Sequence, residues 1–174
     1  MKRFIILCLL SVSIFSCAHV ILREHRNAAV KDLPFNLLIR NTDAYVGEMF
    51  IFGGTIAETK ITRQGAEIEI VQSPLDRFGN IIDRDVSEGR FITTTARYLD
   101  PLIYRKGRDV TIAGILLGSR KQLLGEIEYT FPVFDAKEIY LWKEEKYYPY
   151  PYLYPYWYDP FYYPPFYYPY GPFW

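Results

Sequence analysis

Cysteine is almost missing from this chain of 174 residues, which has only Cys8 and Cys17. Histidine is equally scarce: His19 and His25 are the only two, both ahead of residue 31. Everything after them lacks the mixed ligands of a zinc site and the base of a Ser-His-Asp or Cys-His nucleophile. Net charge is missing too, with 20 basic against 20 acidic side chains. That balance offers no basic surface to displace counterions from phosphates, so no nucleic-acid partner is expected. No apolar run reaches the roughly 20 residues that cross a bilayer as a helix. Gly114 and Gly118 have a spacing that invites a phosphate loop, but no Gly-Lys-Ser or Gly-Lys-Thr follows. We expect no enzyme, no cofactor and no metal.

What is present begins with an address. Lys2 and Arg3 precede a 12-residue apolar stretch, residues 4–15, broken only by Ser11 and Ser13. These are the proportions of a secretory signal peptide, residues 1–16. At its end Ile14-Phe15-Ser16-Cys17 resembles the lipobox of bacterial lipoproteins. The resemblance implies that Cys17 takes a diacylglycerol thioether, becomes the new N-terminus and is acylated on its amine. At about 0.8 kcal/mol per buried methylene, such chains hold a protein on one leaflet. Cys8 leaves with the leader and Cys17 is capped, so the mature chain has neither thiol nor disulfide. Ala18 stands where an Asp would imply retention at the inner membrane. Its identity points to the outer membrane, with the domain facing the periplasm.

Residues 17–31 mix charges without a strong apolar period and read as a lipid-attached tether. Residues 32–146 form the domain. A short helix is expected at its start, with Asp32 as N-cap, Pro34 in the first turn and Phe35, Leu38 and Ile39 on one face. Strands follow. Residues 49–52 lead into Gly53-Gly54, a pair that predicts a bulge or sharp bend. Residues 66–70 alternate, with Ala66, Ile68 and Ile70 inward and Glu67 and Glu69 outward. Further strands are predicted over 91–96, over 109–117 with a bend at Gly114, and over 126–134, with 138–142 extending or following it. Arg63-Gln64-Gly65 and Arg77-Phe78-Gly79-Asn80 supply turns. Five or six short strands and one helix at most indicate an all-β fold, a small OB-like β-barrel. Gly107 and Gly114 agree with this, since OB barrels also lead from a turn glycine into a strand that coils at a second one.

An ordered set of short pieces runs through the same region. Tyr45-Val46-Gly47, Phe52-Gly53-Gly54, Pro74-Leu75-Asp76 and Ser87-Glu88-Gly89-Arg90-Phe91 come first. Leu99-Asp100-Pro101, Tyr104, Gly114, Gly118, Tyr129 and Leu141-Trp142 complete it. With the lipobox ahead of it, this set resembles the Slp family of starvation-inducible outer-membrane lipoproteins. The resemblance implies an envelope location and a link to starvation or stress, and no established catalytic chemistry.

Asp83, Asp85 and Glu88 cluster beside Arg84 and Arg90. Paired carboxylates can bind a divalent ion or act on a glycosidic bond, but this run lacks the ligand spacing and fixed glycine of a calcium loop. A solvated connection is the expected reading. Asp100 precedes a proline and is expected to start a turn, with Tyr104 packing beneath it. A ligand role for Asp100 and Tyr104 stays open as the alternative.

Residues 147–174 are a different material. They hold 12 Tyr, 3 Phe, 2 Trp and 8 Pro in 28 positions, with Asp159 the only charge. Proline at this density forbids helices and central strands and favours extended geometry of about 3.1 Å per residue. The low-complexity tail is read in three ways: an extension folding back on the barrel, an adhesive segment, or a self-associating one. Rings such as Tyr150, Tyr156, Trp157 and Tyr163 suit stacking on peptidoglycan sugars, lipid headgroups or envelope proteins. Two functional classes follow. One is a non-enzymatic envelope protein acting through location and surface. The other is an OB module binding an oligosaccharide or small periplasmic molecule on its barrel face.

Overall fold

The computed structural model describes residues 19–144. Among them five strands are formed: β1 (Met49–Thr62), β2 (Gly65–Ser73), β3 (Arg90–Thr95), β4 (Asp109–Leu124) and β5 (Ile127–Leu141). They close into one barrel in the order β1-β2-β3-β5-β4. β3 and β5 pair in parallel and every other neighbour is antiparallel. This is the all-β, OB-like barrel that the turn and strand spacing predicts.

The alternation of β2 is seen directly. Ala66, Ile68 and Ile70 are buried, while Glu67 and Glu69 lie outside and pair with Arg120 and Arg90 at 2.8 and 2.7 Å. Phe50, Phe52, Phe91 and Phe134 fill the barrel as an aromatic cluster. Phe91 and Phe134 meet edge to face at 5.5 Å, and Phe50 stacks on Phe52 at 5.7 Å. Each such ring contributes roughly 1.5–3 kcal/mol by leaving water.

Two expectations are corrected, at Gly53-Gly54 and at Asp32, and one open alternative is resolved. Of the bulge or sharp bend predicted at Gly53-Gly54, the bulge is not there: it lies at Ala57, where the β1–β2 register shifts. Gly53 and Gly54 sit where β1 pairs with β2 and β4 at once, and a Cβ on Gly54 would overlap the Val71 carbonyl. Of the two readings left open for 138–142, extension holds: it continues the run over 126–134 as one strand, β5. The alternation breaks because Lys137 is an extra residue opposite Ala113 and Gly114. Asp32 is not the helix cap. The helix starts at Phe35, after Pro34, and Asp32 has a left-handed backbone with φ 60°.

Two short helices precede the barrel, α1 (Arg23–Ala28) and α2 (Phe35–Arg40). A 3₁₀ turn, Thr42–Tyr45, leads into β1. Phe35 and Leu38 of α2 are buried in the barrel core. The stretch read as a tether carries α1, and Ile21 before it is 1% exposed. α1 itself buries no residue, which is why the sequence shows no apolar period there. The Val30 N–H donates to the Met49 carbonyl at 2.8 Å, so this stretch is stitched to the start of β1. Cys17 and residues 147–174, with Tyr150, Tyr156, Trp157 and Tyr163, lie outside the described residues.

Candidate functional site

The connections leading to and from one end of the barrel enclose an open cleft of ≈ 510 Å³. Its apolar floor comes from Phe35, Phe50 and Phe52, and Leu33 and Leu75 add walls. Phe35 stands edge-on to Phe52 at 5.0 Å. The polar part is built by β2 and the connection after it. Gln72 occupies the inward register of Ala66, Ile68 and Ile70 and is 7% exposed. Its side-chain carbonyl accepts the Glu88 N–H at 2.9 Å, and its own N–H donates to the Gly89 carbonyl at 2.9 Å. Asp32 and Glu88 are exposed on the rim. Glu88 also accepts the Asn36 N–H at 2.9 Å, supplying from 52 residues away the cap that Asp32 does not. The buried Ser73 hydroxyl has no hydrogen-bond partner among the described residues. The cleft offers acceptor oxygens above an aromatic floor. Sequence reasoning missed Asp32, Gln72 and Ser73 as site residues. A polar Gln72 in the inward register of an otherwise apolar strand was the available signal.

The loop after β2 is braced from within. The Asp76 carboxylate accepts the N–H of Phe78 at 2.8 Å and of Asn80 at 2.9 Å, and the Asn80 amide at 2.7 Å. The Asn80 side chain and these amides hold the Asp76 carboxyl below its usual range. The loop is tied to β4, because the Thr111 hydroxyl donates to the Gly79 carbonyl at 2.9 Å and accepts the Trp142 indole N–H at 3.0 Å.

The first described residues cross this loop. Val20 donates its N–H to the Phe78 carbonyl at 3.2 Å. Gly79, at φ 85°, leaves the room they need: a Cβ there would press on the Val20 side chain at 2.7 Å. His19 accepts the Ile21 N–H at Nδ1, 2.9 Å. Burial, reinforced by the Arg26 charge, pushes His19 below its ordinary range. The Leu22 N–H ends on Glu138 of β5 at 2.9 Å.

The remaining sequence candidates do not join the cleft. Asp100 opens a turn, as expected before proline: its carboxylate accepts the Leu102 N–H at 2.8 Å and its carbonyl the Tyr104 N–H at 2.8 Å. Tyr104 packs against the core, and its carbonyl accepts the Thr59 hydroxyl at 2.6 Å. Asp83 and Asp85 stay together on an exposed connection, while Arg84 and Arg90 turn to other partners. Arg84 pairs with Asp109, Asp83 accepts the Asp85 N–H, and Arg90 pairs with Glu69. Among the described residues no group of three His, Cys, Asp or Glu side chains could hold a metal ion.

Compared with known proteins, the chain matches the outer membrane lipoprotein Slp family over residues 14–174. It is a member of the Slp family. As a Slp lipoprotein it is a component of the cell envelope. Over 98 residues it is 29% identical to YeaY, an uncharacterized lipoprotein of Escherichia coli K12, covering 56% of this chain and 50% of that one. An uncharacterized protein of Haemophilus influenzae is 28% identical over 100 residues, 57% of this chain and 54% of that one. The chain thus spans about half the length of these relatives. Among solved structures, the mitochondrial single-stranded DNA-binding protein Rim1 of S. cerevisiae superposes with TM-score 0.34 and 20% identity, covering 56% of this chain and 97% of that one. A small single-stranded DNA-binding protein of Streptomyces coelicolor gives 0.32 and 18%, covering 53% and 92%.

The Slp pieces quoted from the sequence acquire roles in this fold. Glu88 caps α2, Gly89 makes room for Tyr129, and Trp142 braces Thr111. Gly114 marks one register shift of β4 and Gly118 borders the other. In this Slp protein the motif residues around the cleft are hydrogen-bonded builders of the barrel end.

Proposed function

We propose that this chain is a non-enzymatic envelope protein, linked to starvation or stress. In this reading Cys17 is its lipid anchor, the outer membrane is its seat and the barrel faces the periplasm. What carries the reading is that the Slp match begins at residue 14 and therefore takes in Ile14-Phe15-Ser16-Cys17. Ala18 supports the outer-membrane destination. Replacing Cys17 with Ala tests the anchor: palmitate labelling is lost and unprocessed precursor accumulates. Processed protein of normal size in the outer-membrane fraction of that variant would overturn it. A transcript or protein level unchanged by nutrient depletion would remove the link to starvation.

The cleft favours a second reading, an OB module that binds a small periplasmic molecule or an oligosaccharide. Its acidic rim and apolar floor suit a polyhydroxylated ring, whose hydroxyls would donate to Asp32 and Glu88 and whose apolar face would meet the half-buried Phe52 ring. The test is titration of the unlipidated protein, residues 18–174, with peptidoglycan fragments. Binding lost on Asp32→Ala supports the cleft. Binding lost only on deletion of residues 147–174 supports an adhesive tail instead.

A further inference from the structure

The distance between the anchor and the fold is the observation that carries furthest. Cys17 and His19 are two peptide steps apart, at most about 7.6 Å at 3.8 Å per step. From Val20 onward the chain has no slack. Val20 is hydrogen-bonded to Phe78, Ile21 is 1% exposed, and Leu22 is hydrogen-bonded to Glu138. Because His19 lies against Gly79, the reach of two peptide steps puts a lipid attachment point on Cys17 no more than roughly 10 Å from the loop that carries Arg77, Phe78 and Gly79.

That loop has the chemistry of a lipid interface. The exposed Arg77 lies with its guanidinium carbon 4.6 Å from the Phe78 ring centroid, an arrangement that keeps a phosphate-binding fork beside an aromatic ring. Leu22 is 57% exposed beside the same crossing. Arginine, aromatic and leucine side chains together suit the boundary of headgroup and acyl chain. Two of the nearby acids already accept hydrogen bonds. Asp76 is bonded to Asn80 and Phe78, and Glu138 to the Leu22 N–H, with His25 3.9 Å away. Glu24 remains outward, 3.8 Å from His25.

We propose that the barrel is seated directly on the phospholipid surface by this end, with Leu22, Arg77 and Phe78 at headgroup level, and does not swing on a tether. The proposal rests on the lipidation of Cys17 argued above. It also sets the direction of the molecule. Thr111 is tied to Gly79, and Leu123 is twelve residues further along β4, about 40 Å of strand at 3.3 Å per residue. The β4–β5 hairpin tip then stands away from the membrane, in water.

The mature chain has no cysteine but the capped Cys17, so single introduced cysteines can be labelled selectively. The full lipoprotein is reconstituted into vesicles of phosphatidylethanolamine and phosphatidylglycerol. Leu22→Cys, Arg77→Cys and Leu123→Cys variants carry an environment-sensitive fluorophore. Lipid-linked nitroxides are expected to quench positions 22 and 77 several-fold more than position 123. Having both 22 and 77 guards against one substitution disturbing the seat. Equal quenching at all three, in protein whose mass includes the Cys17 lipid, overturns the seating and leaves the anchor standing. A mass without that lipid overturns both.

Discussion

Arg90 donates its backbone N–H to the Tyr129 hydroxyl at 2.9 Å, and the same oxygen fills the space that a Cβ on Gly89 would need. Gly89 itself has φ 145°, a backbone that side chains rarely accept. The connection before β3 and the β5 strand are thus matched to each other. Gly89→Ala should destabilise the fold by about 2–3 kcal/mol and Tyr129→Phe by about 1–2 kcal/mol. In a urea double-mutant cycle the pair should cost less than the sum, because phenylalanine lacks the clashing oxygen. Strict additivity would show that the two residues do not share this space.

Ile21 provides a test of whether the fold begins in the segment ahead of α1. It is 1% exposed, although the sequence around it reads as a tether. Ile21→Ala should lower unfolding free energy by about 2–4 kcal/mol, the usual range for emptying a buried aliphatic site. A loss below about 0.5 kcal/mol would mean that this segment is not part of the cooperative unit.

Thr111 joins the loop after β2 to the end of β5. It is fully buried, and its hydroxyl serves both the Gly79 carbonyl and the Trp142 indole. Thr111→Val keeps the shape and strands both partners, at a cost of about 1–3 kcal/mol. Denaturation of this variant should show the loss, and unchanged stability would mean water replaces the hydroxyl freely.

His19 gives the fold a pH dependence of known sign. Burial and the Arg26 charge hold its folded pKa below the ordinary 6.5. Above about pH 6.5 both folded and unfolded forms are neutral there and the residue contributes nothing. As pH falls through that value the unfolded chain takes up the proton first, so stability drops until the folded pKa is passed. Asp76 and Glu138, which favour the charged form, act against the larger influences of burial and Arg26. Urea midpoints at pH 7.5 and 5.5 should fall further for the wild type than for His19→Asn, which keeps an acceptor for Ile21. Equal falls would place the titration elsewhere.

How legible each part was depends on the range of its interactions. β2 could be read residue by residue because one face stays inward along its whole length. β5 could not, since an extra residue at Lys137 interrupts its period. Residues 118–124 of β4 fall outside the predicted strand because they run into a half-exposed ribbon in which no residue is buried, with Leu123 74% exposed, and so carry no apolar alternation. In the cleft, Glu88 reads from the sequence as a loop carboxylate within a Slp-like piece. Its work as the α2 cap needs a partner 52 residues earlier.

By itself the sequence determined the likeness of Ile14-Phe15-Ser16-Cys17 to a lipobox, the strand-and-turn character of the domain, the scarcity of cysteine and the segregation of the rings into residues 147–174. All of these are properties of neighbouring residues, set by local periodicity, composition and spacing. Only the tertiary structure decided the parallel closure of β3 on β5, the bulges at Ala57 and Lys137, and the docking of residues 19–22. Each depends on groups far apart in the chain, as Leu22 and Glu138 are at 116 residues, and no local pattern encodes which distant partner satisfies a given N–H.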